Sequence, residues 1–225
     1  MLEQGLKHEN RRERRKRQTR DAIVRAAREL FLEQGFEETT LGEIAERADV
    51  ASSTLFTHFA TKADIFFADY ELIVQDHIRI LETRDRARES AIEATIRWHR
   101  ETGQRRLDID WSWFSQIRRL IDADPILPAL EHEQYRASER ALIREIALDL
   151  GESETDLRPR LIAATKVGLL FALSRFLADH DFDIQQYSGV SLYVDECLRQ
   201  AAATIAAVPV PEEARSSFLE LREAG

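Results

Sequence analysis

The chain has 225 residues, enough to bury one large core or two small ones, and with 44% hydrophobic and 32% charged residues it is not a largely disordered polymer. Eight Gly and five Pro are too few to punctuate an all-β chain, so composition points to helices. The single cysteine, Cys197, excludes an internal disulfide and a multi-thiolate metal site, and the formal net charge of −9 at first argues against a nucleic-acid partner.

The distribution of charge reverses that last inference. Residues 1–65 hold 12 Lys/Arg and 12 Asp/Glu, so everything beyond them carries the whole −9. Between Lys7 and Arg20 lie eight basic residues, Arg15 and Arg17 among them, against only Glu9 and Glu13. A basic arm over residues 1–17 confines phosphate attraction to one end of the molecule, although such a run taken alone reads first as a solvated tail. The arm precedes Ile23, Ala26, Ala27, Leu30 and Phe31, an apolar stripe at helical spacing. Gly35 is expected to close that helix in the left-handed αL conformation.

Thr40 and Glu43 form a capping box for a short helix through Ala48, and a turn at Asp49-Val50-Ala51 leads to another from Ser52 to Phe59. Thr61 and Asp64 make a further capping box, for a longer helix to about Glu82 that no Gly or Pro interrupts. Later helices are predicted at roughly 87–102, 109–122, 131–150, 156–179 and 184–207. Their breaks are Gly103, Pro125 with Pro128, Gly151 and Asp181-Phe182-Asp183, and Pro209 with Pro211 ends the last. The apolar stretch from Leu161 to Ala178 is broken by Lys166 and Arg175, so it reads as a buried bundle helix and not as a membrane span. The N-terminus carries charge in place of a signal-like apolar run, and with one cysteine this makes the bacterial cytoplasm the expected location.

Two short helices joined by a tight turn, after a longer amphipathic one, predict a helix-turn-helix. The first must turn Leu41, Ile44, Ala45 and Ala48 inward. The turn needs a residue that tolerates positive φ, which Asp49 can supply. Val50, Leu55 and Phe59 would plug the angle between the helices. The other faces of the second helix carry Ser52, Ser53, Thr54, Phe56, Thr57 and His58, mostly short hydrogen-bonding groups that can approach base edges and phosphates closely.

The run Asp21-Ala22-Ile23, Ala26-Ala27-Arg28-Glu29-Leu30-Phe31, Gly35-Phe36, Thr39-Thr40-Leu41, Ile44-Ala45, Ala48-Asp49-Val50, Ser53-Thr54-Leu55-Phe56-Thr57-His58-Phe59 and Lys62 resembles the DNA-binding head of the TetR family. The resemblance implies that Thr40 contacts a phosphate, that Ser52, Ser53, Thr54 and Thr57 enter the major groove, and that Phe56, His58 and Lys62 flank the backbone. Three positions depart from the family pattern. Asp49 stands where Gly is usual, Ala51 where a Ser often caps the helix, and Phe56 where Tyr would offer a hydroxyl. Read without the family, Thr40 is a helix cap, Phe56 a core residue and His58 a surface residue.

The resemblance also implies an all-α chain: a three-helix head over 18–65, a linking helix, and an effector-binding, dimerising bundle over 66–208, followed by a tail over 209–225. Trp98, Trp111, Trp113, Phe114, Tyr135 and Phe171 are bulky pocket candidates. Of these, Trp98, Phe114, Tyr135 and Phe171 are taken as effector contacts, while His99, His132 and His180 read as surface or satisfied polar groups. Leu161, Thr165, Gly168, Leu169, Ala172 and Phe176 form one helical face, and Val194, Leu198 and Ala201 part of another. Together they suit a two-fold homodimer interface, the alternative being burial within one chain. The second half, notably Asp156-Leu157-Arg158-Pro159-Arg160-Leu161, is similar to regulators of mycofactocin-type or acyl-CoA-responsive systems, which implies a small apolar or amphipathic effector.

An enzyme is not expected. The chain lacks paired Glu-x-x-His motifs, a Gly-x-Ser-x-Gly elbow, a Gly-rich phosphate loop and a Cys/His zinc cluster, so no catalytic residue, metal or cofactor is assigned. The sequence therefore predicts a repressor that binds double-stranded operator DNA as a homodimer and is released by a small ligand. Control by a protein partner, without a small effector, is the competing reading.

Overall fold

The computed structural model describes residues 10–105, 111–180 and 184–209, without the side chains of 103–105, 111–115 and 184–188. These residues form helices α1 (Arg11–Glu38), α2 (Leu41–Arg47), α3 (Ser52–His58), α4 (Lys62–Phe66), α5 (Ala68–Thr83), α6 (Ala91–Arg105), α7 (Trp111–Ala123), α8 (Leu127–Leu150), α9 (Leu157–Ala178) and α10 (Ile184–Ala207). Among the described residues there is no strand.

Capping chemistry sets most helix starts. Asn10 accepts from Arg12 and Glu13 backbone N–H groups and opens α1, so Arg11–Arg17 are helical. Thr40 with Glu43 and Thr61 with Asp64 are complete capping boxes, as their spacing predicts. Asp124 Oδ1 accepts from the N–H groups of Ile126 and Leu127 at 2.7 and 3.0 Å, placing Pro128 inside the first turn of α8. A proline there removes only a donor that would lack a helical partner anyway, so it does not mark the break predicted for it. Gly103 likewise lies within α6.

The contacts divide the chain into two units, residues up to Asp69 with Asp122–Leu130, and Tyr70–Ile121 with Glu131 onward. In the first, Ile23, Ala27 and Phe31 of α1 are essentially inaccessible, with Ile44, Ala45, Leu55 and Ile65 from α2, α3 and α4. Phe31, Phe36 and Phe66 close a ring triangle with centroids 5.1–5.5 Å apart. Gly35 has φ 86° and ψ 171°, so it kinks α1 three residues before its end in an extended positive-φ conformation rather than closing it in the expected αL. The helix predicted from Lys62 to Glu82 is also interrupted: Phe67 has φ −96° and ψ 19° and separates α4 from α5. Adjacent residues on a regular helix diverge by about 100°. Breaking it here lets both Phe66 and Phe67 bury, with ring centroids 4.9 Å apart.

The second unit buries Leu81, Ala91, Ala94 and Trp98 against Leu142, Ile146, Ile162 and Ala163. Two buried arginines are paired within it. Arg84 meets Glu145 and Asp149 and donates to Leu81 O at 3.0 Å. Arg118 meets Glu131 at 2.7 Å, which also accepts from the Tyr70 hydroxyl at 2.9 Å. α8 ends at Gly151 (φ 67°), where Glu152 N–H returns to Ala147 O, so the Gly151 break is where the sequence placed it. By length and composition α9 is apolar enough to cross a membrane, but Ile162, Ala163, Lys166 and Val167 are buried within the bundle.

Candidate nucleic-acid interface and ligand cavity

The turn between α2 and α3 is built by Asp49, the one non-glycine residue with positive φ (53°) among those described. Asp49 N–H reaches Glu46 O and Val50 N–H reaches Ala45 O, both at 3.0 Å, the paired hydrogen bonds that finish a helix at a left-handed residue. Helix α3 buries Leu55 completely, with Phe59 just beyond it. Ala51, at its N-cap, offers no side-chain hydrogen bond, the loss expected from the missing Ser. Ser52, Ser53, Phe56 and Thr57 are exposed on its outer face, while Thr54 and His58 are half-buried. Phe56 is 56% exposed, so it is no core residue. Thr57 Oγ1 donates to Ser53 O at 2.9 Å, which leaves the oxygen able to accept a further hydrogen bond.

The basic turns of α1 lie close to this face. Burial holds His58 below its ordinary value, and the charges of Lys16 and Arg20 lower it further, so the ring is neutral at pH 7. Arg20 stacks over the Phe59 ring at 5.1 Å and donates to Ala68 O. Arg15 and Arg17 are exposed on the same helix. Two expected phosphate contacts are already engaged. Thr40 donates its hydroxyl proton to Glu43 Oε2 at 2.7 Å while accepting from Glu43 N–H, so capping is its main work. Lys62 donates to Glu37 O and Thr39 O, both at 2.8 Å, and lies 4.5 Å from the Phe36 ring centroid. It clamps the end of α1 to the start of α4.

In the second unit α5, α6, α8, α9 and α10 enclose a cavity of about 60 Å³. Trp98 and Tyr135 line it, as the sequence suggested. Phe171 stands behind Tyr135, edge-on at 5.8 Å, and is not part of the wall. The side chain of Phe114 lies outside the described residues. Leu169, Leu170, Leu173, Val194 and Leu198 supply the apolar walls. The polar lining was not assigned from sequence: Lys166, His99, Asp195, Thr102 and Ser191. Lys166 is 3% exposed, and its Nζ sits 5.6 Å from the Trp98 ring centroid and 5.8 Å from that of Tyr135. Burial pushes its pKa down to about 8 against an opposing pull from Glu139. A lone Lys within the most apolar helix, flanked by Ile162, Ala163 and Val167, was the available signal.

The cavity wall is fixed from behind. Trp98 Nε1 donates to Asp76 Oδ2 at 3.2 Å, and its ring packs against His77 at 4.4 Å. Thr95 gives its only hydroxyl proton to Ala91 O, so it must accept from His77 Nε2–H at 3.0 Å. Nδ1 then accepts from the Ser138 hydroxyl at 2.6 Å. His77 is thereby a neutral ring with both nitrogens satisfied, and its burial holds it well below its ordinary pKa. His99 packs on Trp98 and pairs with Asp195, which also meets Arg100.

Of the proposed dimer face, Leu161, Gly168, Ala172 and Phe176 are exposed and Thr165 is half-buried. Leu169, Val194 and the 2%-exposed Leu198 line the cavity. The outward residues of α10 include Leu192 and Tyr193, 53% and 71% exposed, while Ala201 is half-buried.

A family model described as bacterial regulatory proteins, tetR family, matches residues 23–68. The HTH-type transcriptional regulator TcmR of Streptomyces glaucescens is 34% identical over 181 residues, covering 76% of this chain and 80% of its own. MftR of Mycobacterium tuberculosis, named for the regulation of mycofactocin biosynthesis, is 26% identical over 197 residues, or 84% and 95% of the two chains. Among solved structures, a SmeT–triclosan complex shares the fold, with a TM-score of 0.57 at 16% identity over 86% of this chain and 99% of that one.

Proposed function

Because this chain belongs to the TetR family of DNA-binding transcriptional regulators, we propose that it is a cytoplasmic repressor that holds a near-palindromic operator as a homodimer and is released by a small amphipathic ligand. In this reading residues 1–17 bring positive charge to the phosphates, 18–65 read the operator, and 66–208 sense the ligand and dimerise.

What carries the reading is the face of α3. Ser52, Ser53 and Thr57 stand exposed on a helix anchored by Leu55 and Phe59, beside the basic turns of α1. Short side chains on a rigid helix can enter a major groove, while Arg15 and Arg17 hold the backbone without reading sequence. Phe56, lacking a hydroxyl, offers apolar contact to a sugar or a thymine methyl group. The outward rows on α9 and α10 support dimerisation: Leu161, Phe176, Leu192 and Tyr193 are large apolar groups left uncovered, and Gly168 has open space above its Cα for a second helix. The complex of SmeT with triclosan supports a small-molecule effector, and the cavity around Trp98 and Tyr135 is the place for it.

Footprinting on the DNA upstream of the chain's own gene tests the proposal. The expected result is two protected half-sites related by a two-fold axis, about one helical turn apart or modestly more, and a shifted preference for Thr54→Ala. A monomer protecting one asymmetric site would overturn it.

A further inference from the structure

The cavity carries a feature that an apolar effector leaves unexplained. Lys166 Nζ lies beside the Trp98 and Tyr135 rings, and among the described residues it makes no hydrogen bond and no ion pair, Glu139 acting on it only from beyond ion-pair distance. Ring faces stabilise an ammonium only partly, and a buried charge without a hydrogen-bonded counterion costs free energy. A wholly apolar occupant would make this worse, since it would strip the remaining water from Nζ while giving nothing back. An occupant with an acidic group would reverse the balance. A second observation points the same way: Thr102 Oγ1, on the same cavity wall, is buried and has no hydrogen-bond partner among the described residues. The one carboxylate among the described lining residues, Asp195, is already held by His99 and Arg100.

We propose that the cavity takes an organic acid with a hydrophobic body, its carboxylate paired with Lys166 Nζ, a polar atom met by Thr102 Oγ1, and its body against Leu169, Leu173 and Val194. This rests on the reading of the cavity as the effector site. It adds the ligand's charge and the residue that selects it. At about 60 Å³ the cavity is small beside the several hundred Å³ of a typical small-molecule site, so the acid spreads the lining helices as it enters.

The test is calorimetric titration of the full chain with carboxylates and alcohols of matched skeleton: 2-naphthoate against 2-naphthylmethanol, and decanoate against decanol. Wild type is expected to prefer each acid by at least about tenfold, the scale of one charge-assisted hydrogen bond. Lys166→Met is expected to erase that preference, Lys166→Arg to retain most of it, and Thr102→Val to weaken both acid and alcohol. Acids and alcohols binding alike, or a preference that survives Lys166→Met, would overturn the acid selectivity and leave the effector reading standing. Acid binding that operator DNA does not weaken would overturn the effector reading and leave the acid selectivity standing, because linkage between the two sites must be reciprocal. Binding of none of the four compounds would overturn both.

Discussion

Replacing Lys166 with Met removes a buried ammonium while keeping a flexible side chain of similar length. The fall in pKa from 10.5 to about 8 corresponds to about 3 kcal/mol of destabilisation carried by the charged form in the native state. The sign follows from proton binding. The native pKa lies below the unfolded one, so between about pH 8 and pH 10.5 the unfolded chain binds more protons and stability rises with pH. Below pH 8 the penalty is present in full. Lys166→Met is therefore expected to be more stable than wild type by up to about 3 kcal/mol at pH 7, with the advantage falling below about 1 kcal/mol at pH 10.5. Urea unfolding of both proteins at the two pH values checks this. Protein concentration must be held equal, because a dimer's stability depends on it, and the difference between the proteins cancels every other group that titrates. A variant less stable than wild type at pH 7, or a gap independent of pH, would refute the reasoning and mean that the ammonium has a favourable partner. Retaining a residue that costs this much is intelligible if it serves binding.

Other outcomes follow from the first unit. Arg15→Ala with Arg17→Ala is expected to lower affinity for all duplexes alike and to flatten the slope of log affinity against log salt by up to about two, which anisotropy over a salt series measures. Thr40→Ala removes the reciprocal cap with Glu43 and is expected to cost about 1 kcal/mol in denaturant unfolding, with Thr40→Ser losing much less. Asp49→Gly relieves a positive φ of 53° and is expected to gain up to about 1 kcal/mol, whereas Asp49→Val should lose more than that. Lys62→Ala is expected to lower the melting temperature of the free protein, since the ammonium holds Glu37 and Thr39 carbonyls.

The head was legible because its signals are local. Capping boxes at Thr40 and Thr61, the apolar stripe from Ile23 to Phe31, and the positive φ of Asp49 each depend on residues within a turn or two. What escaped depends on tertiary partners. The break at Phe67 arises because two adjacent rings both bury, and no Gly or Pro marks it. The hold of Lys62 on α1 was not visible because the carbonyls it meets lie more than twenty residues away. In α10, Val194, Leu198 and Ala201 share a helical face by spacing, but spacing cannot say whether that face meets its own chain or another; the cavity claims Val194 and Leu198. Lys166 was visible as a charge in an apolar helix, yet its burial and the two rings beside it come from three different helices.

The central claim, that α3 reads a two-fold DNA site, is tested most directly by selecting binders of the full chain from a pool of random duplexes. The account predicts enrichment of an inverted repeat with half-sites about 10 base pairs apart centre to centre, or modestly more, and altered bases within each half-site when Ser53→Ala or Thr54→Ala replaces wild type. Enrichment of an asymmetric site, or the same repeat recovered unchanged by both variants, would contradict it.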